Sequence, residues 1–178
     1  MIEAVVESVR VSLMSQHRVV ILKEVSGERH LPIWIGPFEA EAIAMELQGV
    51  QAKRPLPYDL LKTIIASLGA RIVRIEVTEL SDAVFYARIV LDVNGRPVTI
   101  DSRPSDAIAL GVRAKVPILV AETVMDRAGI ILSSEEDEEE AEPVEGPAAE
   151  PINEERLSVF RDFINSLDID DLGKKRDG

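Results

Sequence analysis

Apolar and polar residues alternate in short runs twice along this chain, and each time the alternation gives way to a helical period. Residues 3–13 and 17–25 are rich in Val, Ile and Leu and read as two strands. The Ser26-Gly27 turn leads to a third strand at 29–35, where Pro32 marks an edge position because proline donates no amide. Gly36-Pro37 then opens a helix to about Gln48, with Ala40, Ile43, Ala44 and Leu47 on one face. A loop with Lys53-Arg54-Pro55 and Pro57 leads to a second helix at about 58–68, ended by Gly69.

The pattern recurs. Strands over about 70–79 and 83–93 are followed by the hairpin turn Asn94-Gly95 and a third strand at 97–102. Arg103-Pro104 opens another helix to about Lys115. Pro104 follows Pro37 by 67 positions, and Ala70 follows Glu3 by the same 67. This offset predicts an internal duplication of a three-strand-plus-helix unit. An apolar strand at 117–121 and a short helix at 122–128 follow. Short links between strands favour antiparallel hairpins. The expected class is α+β, a mostly antiparallel or mixed sheet with flanking helices.

Charge divides the chain differently. The 178 residues carry a formal net charge of −12. Residues 1–132 hold 16 acids and 15 Lys/Arg, so this body stands at −1, while 133–178 hold 16 acids and 5 Lys/Arg. Residues 133–152 contain the run Ser133 to Glu140 and then Pro143, Gly146, Pro147 and Pro151, and read as a disordered acidic linker. Residues 153–178 read as a short helical tail, with Leu157, Phe160, Ile164 and Leu167 on one face. A chain at −12 argues against binding nucleic acid only if the charge is evenly spread. With a near-neutral body, it does not.

No apolar run approaches the roughly 18–20 residues of a membrane span. The first residues lack a signal-peptide pattern, and there is no cysteine for a disulfide, a thiolate metal site or a nucleophile. These features fit a cytoplasmic location without membrane contact. No phosphate-binding glycine loop, nucleophile elbow or paired-histidine zinc motif occurs.

Chemistry concentrates at Asp101-Ser102-Arg103-Pro104-Ser105-Asp106, where an almost wholly apolar helix begins. One reading is capping, with Ser102 and Ser105 satisfying free amides and Asp106 complementing the dipole. The other is a site. Asp101 and Asp106 offer oxygen ligands to Mg2+ or another divalent cation. Arg103 would stabilise phosphate charge, and Ser105 would orient water or phosphate. Glu39 occupies the matching place in the first unit, beside Glu41. Asp59 next to Tyr58 reads as a helix-start acid. On the strands, Arg74, Glu76, Tyr86, Arg88, Asp92, Thr99 and Asp101 share one face under strict alternation, opposite Val73, Ile75, Val77, Phe85, Ala87, Ile89, Leu91, Val98 and Ile100. That polar face is either solvated ion pairs or a binding surface with Arg74 and Arg88. Lys53 and Arg54 could touch phosphate from their loop. His17 and His30 have no spacing that implies a metal and read as structural.

Three stretches carry a resemblance. They are Leu31-Pro32-Ile33-Trp34-Ile35-Gly36-Pro37-Phe38-Glu39-Ala40, Arg54-Pro55-Leu56-Pro57-Tyr58-Asp59-Leu60-Leu61, and Asp101-Ser102-Arg103-Pro104-Ser105-Asp106-Ala107-Ile108-Ala109-Leu110. In this order they resemble the bifunctional nuclease domain family, over roughly residues 1–132. The resemblance implies a small α+β domain, often oligomeric, associated with cleavage of DNA and RNA. The expected function is therefore metal-assisted hydrolysis of phosphodiester bonds, with no organic cofactor and with nucleic acid bound transiently as substrate. Asp101, Arg103, Ser105, Asp106 and Glu39 are the candidate catalytic residues, Asp101 and Asp106 the metal ligands, and Arg74, Arg88, Lys53 and Arg54 the substrate contacts. The alternative is a non-catalytic binding or regulatory module acting through the sheet face or the tail.

Overall fold

A computed structural model describes residues 1–11 and 17–131. The end of the first expected strand (12–13), the linker 133–152 and the tail 153–178 lie outside the described residues. The strands are β1 (Ile2–Val11), β2 (Arg18–Glu24), β3 (Arg29–Ile35), β4 (Ala70–Ser81), β5 (Val84–Val93), β6 (Arg96–Ser102), β7 (Ile118–Val120) and β8 (Ile130–Ile131). The helices are α1 (Pro37–Leu47), α2 (Pro57–Ser67), α3 (Pro104–Ala114) and α4 (Glu122–Ala128). The strands form one sheet in the order β6-β5-β4-β7-β1-β2-β3-β8. Only β4 and β7 run parallel; every other pair is antiparallel. The class is α+β, as the short links between strands predict.

Two three-strand meanders, each followed by a proline-opened helix, flank β7. Shared element order is as far as the likeness goes, since α2 follows only the first unit. The two-residue β8 has no periodic signal and exists through its pairing with Arg29 and His30. Beyond those two residues β3 has no second partner strand among the described residues, and Pro32 sits there. The Asn94-Gly95 turn has positive φ at both positions (53° and 78°), the geometry that suits a tight hairpin.

Strict alternation fails in β4. Register shifts between Ile72 and Arg74 and between Val77 and Glu79 insert bulges, so Ile72 joins Ile75 and Val77 in the core and Val73 is left out of it. The inner face of β6 is also less covered than expected, with Val98 and Ile100 exposed.

The core centres on α3, whose Ala107, Ile108, Ala109 and Leu110 are all fully buried. A helix apolar all round must be covered on every side. Here β4 and β5 cover one side and α1 and α2 another. Gly111 permits the close approach, because a Cβ there would lie 2.6 Å from Ile75 Cγ1. In α1 the buried residues are Ala40, Ala42 and Ile43, while Leu47 faces out.

Candidate functional site

The three helix starts share one design. Proline stands at the first helical position of α1, α2 and α3, and each preceding residue (Gly36, Leu56, Arg103) is extended, as proline requires of its neighbour. An acid follows two residues after each proline: Glu39, Asp59 and Asp106. Each is placed to complement the positive end of its helix.

Packing brings these starts into one network. Arg103 donates from Nε to Asp106 Oδ2 (2.7 Å) and from one terminal nitrogen to both Glu39 Oε1 (2.7 Å) and Asp106 Oδ1 (3.1 Å). The Tyr58 hydroxyl donates to Asp106 Oδ1 at 2.7 Å. Behind them lies Arg113, buried at 5% exposure. Its Nε donates to Asp59 Oδ1 (3.0 Å), and a terminal nitrogen donates to the Ala42 carbonyl (2.8 Å). Its guanidinium also sits 5.7 Å from the centre of the Tyr58 ring. Asp59 closes the group by accepting the Leu56 amide through Oδ2 at 2.8 Å. Glu39, Tyr58, Asp59, Arg103 and Asp106 come from all three motif stretches, and Glu39 and Arg103, 64 positions apart in sequence, end in direct contact.

Electrostatics sets their roles. The hydrogen bonds to Asp106 and then to Glu39 hold Arg103 above the usual guanidinium range, so it is always charged. Burial, reinforced by the hydrogen bond to Asp106, pushes the Tyr58 phenol above its usual range. Tyr58 is therefore a fixed donor that holds one oxygen of Asp106. The Arg103 side chain is 67% exposed, against 13% for Glu39 and 31% for Asp106. A cation thus lies at the surface over two partly buried carboxylates.

The structure separates residues that the sequence groups together. Asp101 pairs in register with Arg88, and Arg88 with Glu76. Its neighbours Ile100 and Ser102 pair with Ile89 and Ala87, which line the core beside α3. Side chains alternate along a strand, so Asp101 points to the outer face, away from Asp106. The fold thus does not bring Asp101 and Asp106 together; the carboxylate that shares Arg103 with Asp106 is Glu39. Among the described residues no group of three or more His, Asp or Glu is arranged to hold a metal ion. Ser105 is buried at 7% exposure, and the start of α3 has no side-chain cap. The Ser102 hydroxyl instead donates to the Arg103 carbonyl at 3.0 Å, so the expected serine caps are absent. Glu41 is exposed and outside the network, and Lys53 and Arg54 are exposed on the loop before Tyr58.

Arg74 and Arg88 also lie on the outer face, where both clamp Glu76. Arg74 Nε donates to Glu76 Oε1 at 2.6 Å, and Arg88 Nε donates to Glu76 Oε2. Glu76 is only 3% exposed. Burial alone would raise its pKa, but the two guanidiniums outweigh burial and hold it below the usual carboxylate range. A carboxylate with a lowered native pKa stabilises the fold above its unfolded value, near 4.3, and loses that contribution as pH falls. Glu76→Gln is therefore expected to cost about 1–3 kcal/mol near neutrality and to flatten the decline in stability on acidification. Urea melts from pH 7 down to pH 3 check this; parallel curves for the two proteins would refute it.

His17 meets the Trp34 ring edge-on, with centroids 5.5 Å apart, and the His30 Nε2 lies 3.3 Å from Glu7 Oε1. Neither histidine is part of the network. Arg113 and Tyr58 had no assigned role in the sequence. One signal was present: an arginine inside an otherwise apolar, buried helix needs a carboxylate partner.

An α+β domain with motif residues gathered at three helix starts is the class that fold and site define. The chain belongs to the bifunctional nuclease domain family, whose pattern matches residues 20–133. It is 38% identical over 170 residues to an uncharacterised protein of Mycobacterium tuberculosis, covering 96% of this chain and 97% of that one. It is 32% identical over 108 residues to Bifunctional nuclease 2 of Arabidopsis thaliana (58% of this chain, 33% of that protein). It is 26% identical over 117 residues to Bifunctional nuclease 1 of Oryza sativa subsp. indica (64% of this chain, 35% of that protein). The chain thus spans about a third of the length of these plant relatives.

Proposed function

We propose that this protein is a cytoplasmic nuclease that hydrolyses phosphodiester bonds in DNA and RNA, with its site at the starts of α1, α2 and α3. The observation that carries this reading is the convergence of Glu39, Tyr58, Arg103 and Asp106 in a chain of the bifunctional nuclease domain family. Arg103 offers exposed positive charge to a phosphate. Lys53 and Arg54, on the loop leading to Tyr58, would meet the flanking backbone. Glu39 and Asp106 offer oxygens to Mg2+ or Mn2+, which commonly takes one or two carboxylates together with substrate phosphate. Such an ion, when bound, polarises the phosphoryl group and makes water a better nucleophile. Tyr58 holds Asp106 in place.

The test uses purified full-length protein with single- and double-stranded DNA and RNA in Mg2+, Mn2+ or EDTA. Cleavage in metal that stops in EDTA is expected. Absence of cleavage on all four substrates in either metal would overturn the nuclease reading. Binding without cleavage would support a regulatory module instead.

The same protein would work as a homo-oligomer. Helix α2 buries no residue fully and leaves Leu60, Leu61 and Ile64 exposed, as is Leu68 just after its end. Tyr58 and Ile65 of α2 pack on the core, so the exposed residues form a second apolar face of the helix. Leu60, Ile64 and Leu68 recur every four residues, so a two-fold axis at Ile64 would pack each α2 against its copy. Ile64→Glu is expected to halve the mass measured by light scattering after gel filtration. A monomeric wild type, or an unchanged mass, would reject this interface.

A further inference from the structure

Arg103 cannot grip a phosphodiester in a fork while it serves both carboxylates. Its Nε faces Asp106, and one terminal nitrogen is shared between Asp106 and Glu39. Only the other terminal nitrogen is uncommitted. A two-point grip on phosphate needs two nitrogens of the planar guanidinium, so at least one carboxylate must be released. Each of these ion pairs involves an exposed guanidinium, and exposed pairs are individually weak.

Release has a consequence. Glu39 and Asp106 both accept from the same Arg103 nitrogen, so the two carboxylates flank one cationic position. Both are partly buried, and Tyr58 and the helix hold Asp106 in place. Two neighbouring carboxylates that lose their shared counter-charge repel each other and favour uptake of another cation.

We propose that Arg103 is an internal stand-in for a divalent cation, and that cation and phosphodiester bind as a coupled pair. The cation takes Glu39 and Asp106 as the guanidinium turns to the phosphate. This rests on the nuclease reading of the site and adds its regulation: without nucleic acid, Arg103 competes the cation away. Coupling of this kind is reciprocal, so phosphodiester raises cation affinity by the factor by which cation raises phosphodiester affinity.

The test measures Mn2+ binding to the full chain by calorimetry with no nucleic acid present. Arg103→Gln is expected to bind Mn2+ about 10-fold more tightly than wild type, and Arg103→Lys, which keeps the charge, to stay near wild type. A phosphorothioate-linked dithymidine, anionic and resistant to cleavage, should tighten Mn2+ binding to wild type and leave Arg103→Gln unchanged. Glu39→Gln should remove the binding in either background, and thermal melts identify any variant that fails to fold. Equal Mn2+ affinity of wild type and Arg103→Gln, or wild-type affinity in Glu39→Gln, would overturn the exchange. Since no cleavage is read, failure here with metal-dependent cleavage intact rejects the exchange alone. Intact exchange without cleavage rejects the nuclease reading alone.

Discussion

Asp106→Asn is expected to lower cleavage of single-stranded DNA by about 100-fold or more. Asp106 is the residue on which the network turns. It accepts Arg103 through both oxygens and Tyr58 through one. An amide keeps the shape but loses the charge, and its NH2 end would face a donor. Arg103 then keeps a charged partner only in Glu39, and any bound cation would lose an anionic ligand. The side chain is 31% exposed, so the damage to stability should be small beside the damage to rate. Initial cleavage rates at saturating Mg2+, with a melting temperature within a few degrees of wild type, check the prediction. A wild-type rate would remove Asp106 from the mechanism.

Leu110→Ala is expected to cause a large loss of stability, about 3–4 kcal/mol. Leu110 is fully buried in α3, and the packing around it comes from both sides. The sheet and the neighbouring helices cannot close on the void without moving the helix starts that carry Arg103 and Asp106. A domain of this size should lose on the order of 10 °C in melting temperature, measurable by circular dichroism. A loss below about 1 kcal/mol would show that the core relaxes around the cavity.

Legibility differed from residue to residue. Pro37 and Pro104 mark their helices because proline at a helix start acts locally, through a fixed φ and a missing donor that is not needed there; Pro57, which reads as the end of a loop, takes the same place in α2. Asn94-Gly95 announced its hairpin for a similar reason. Asp101 shows the opposite case. It is five positions from Asp106, yet one strand alternation places it on the other face of the sheet. Glu39 is 67 positions from Asp106 and shares an arginine with it. Glu76 reads as a solvated acid on a polar face, but two arginines fold over it and bury it.

By itself the sequence determined what depends on near neighbours. That covers the order of strands and helices apart from β8, the α+β class, the apolar character of α3, the separation of a near-neutral body from an acidic tail, and the motifs that mark the family. Only the tertiary structure decided which acids stand together. Gly111 against Ile75 seats α3 on the sheet, and Arg113 against Asp59 and Ala42 ties it to α2 and α1. These join distant parts of the chain through volume and hydrogen-bond geometry, which no local pattern encodes.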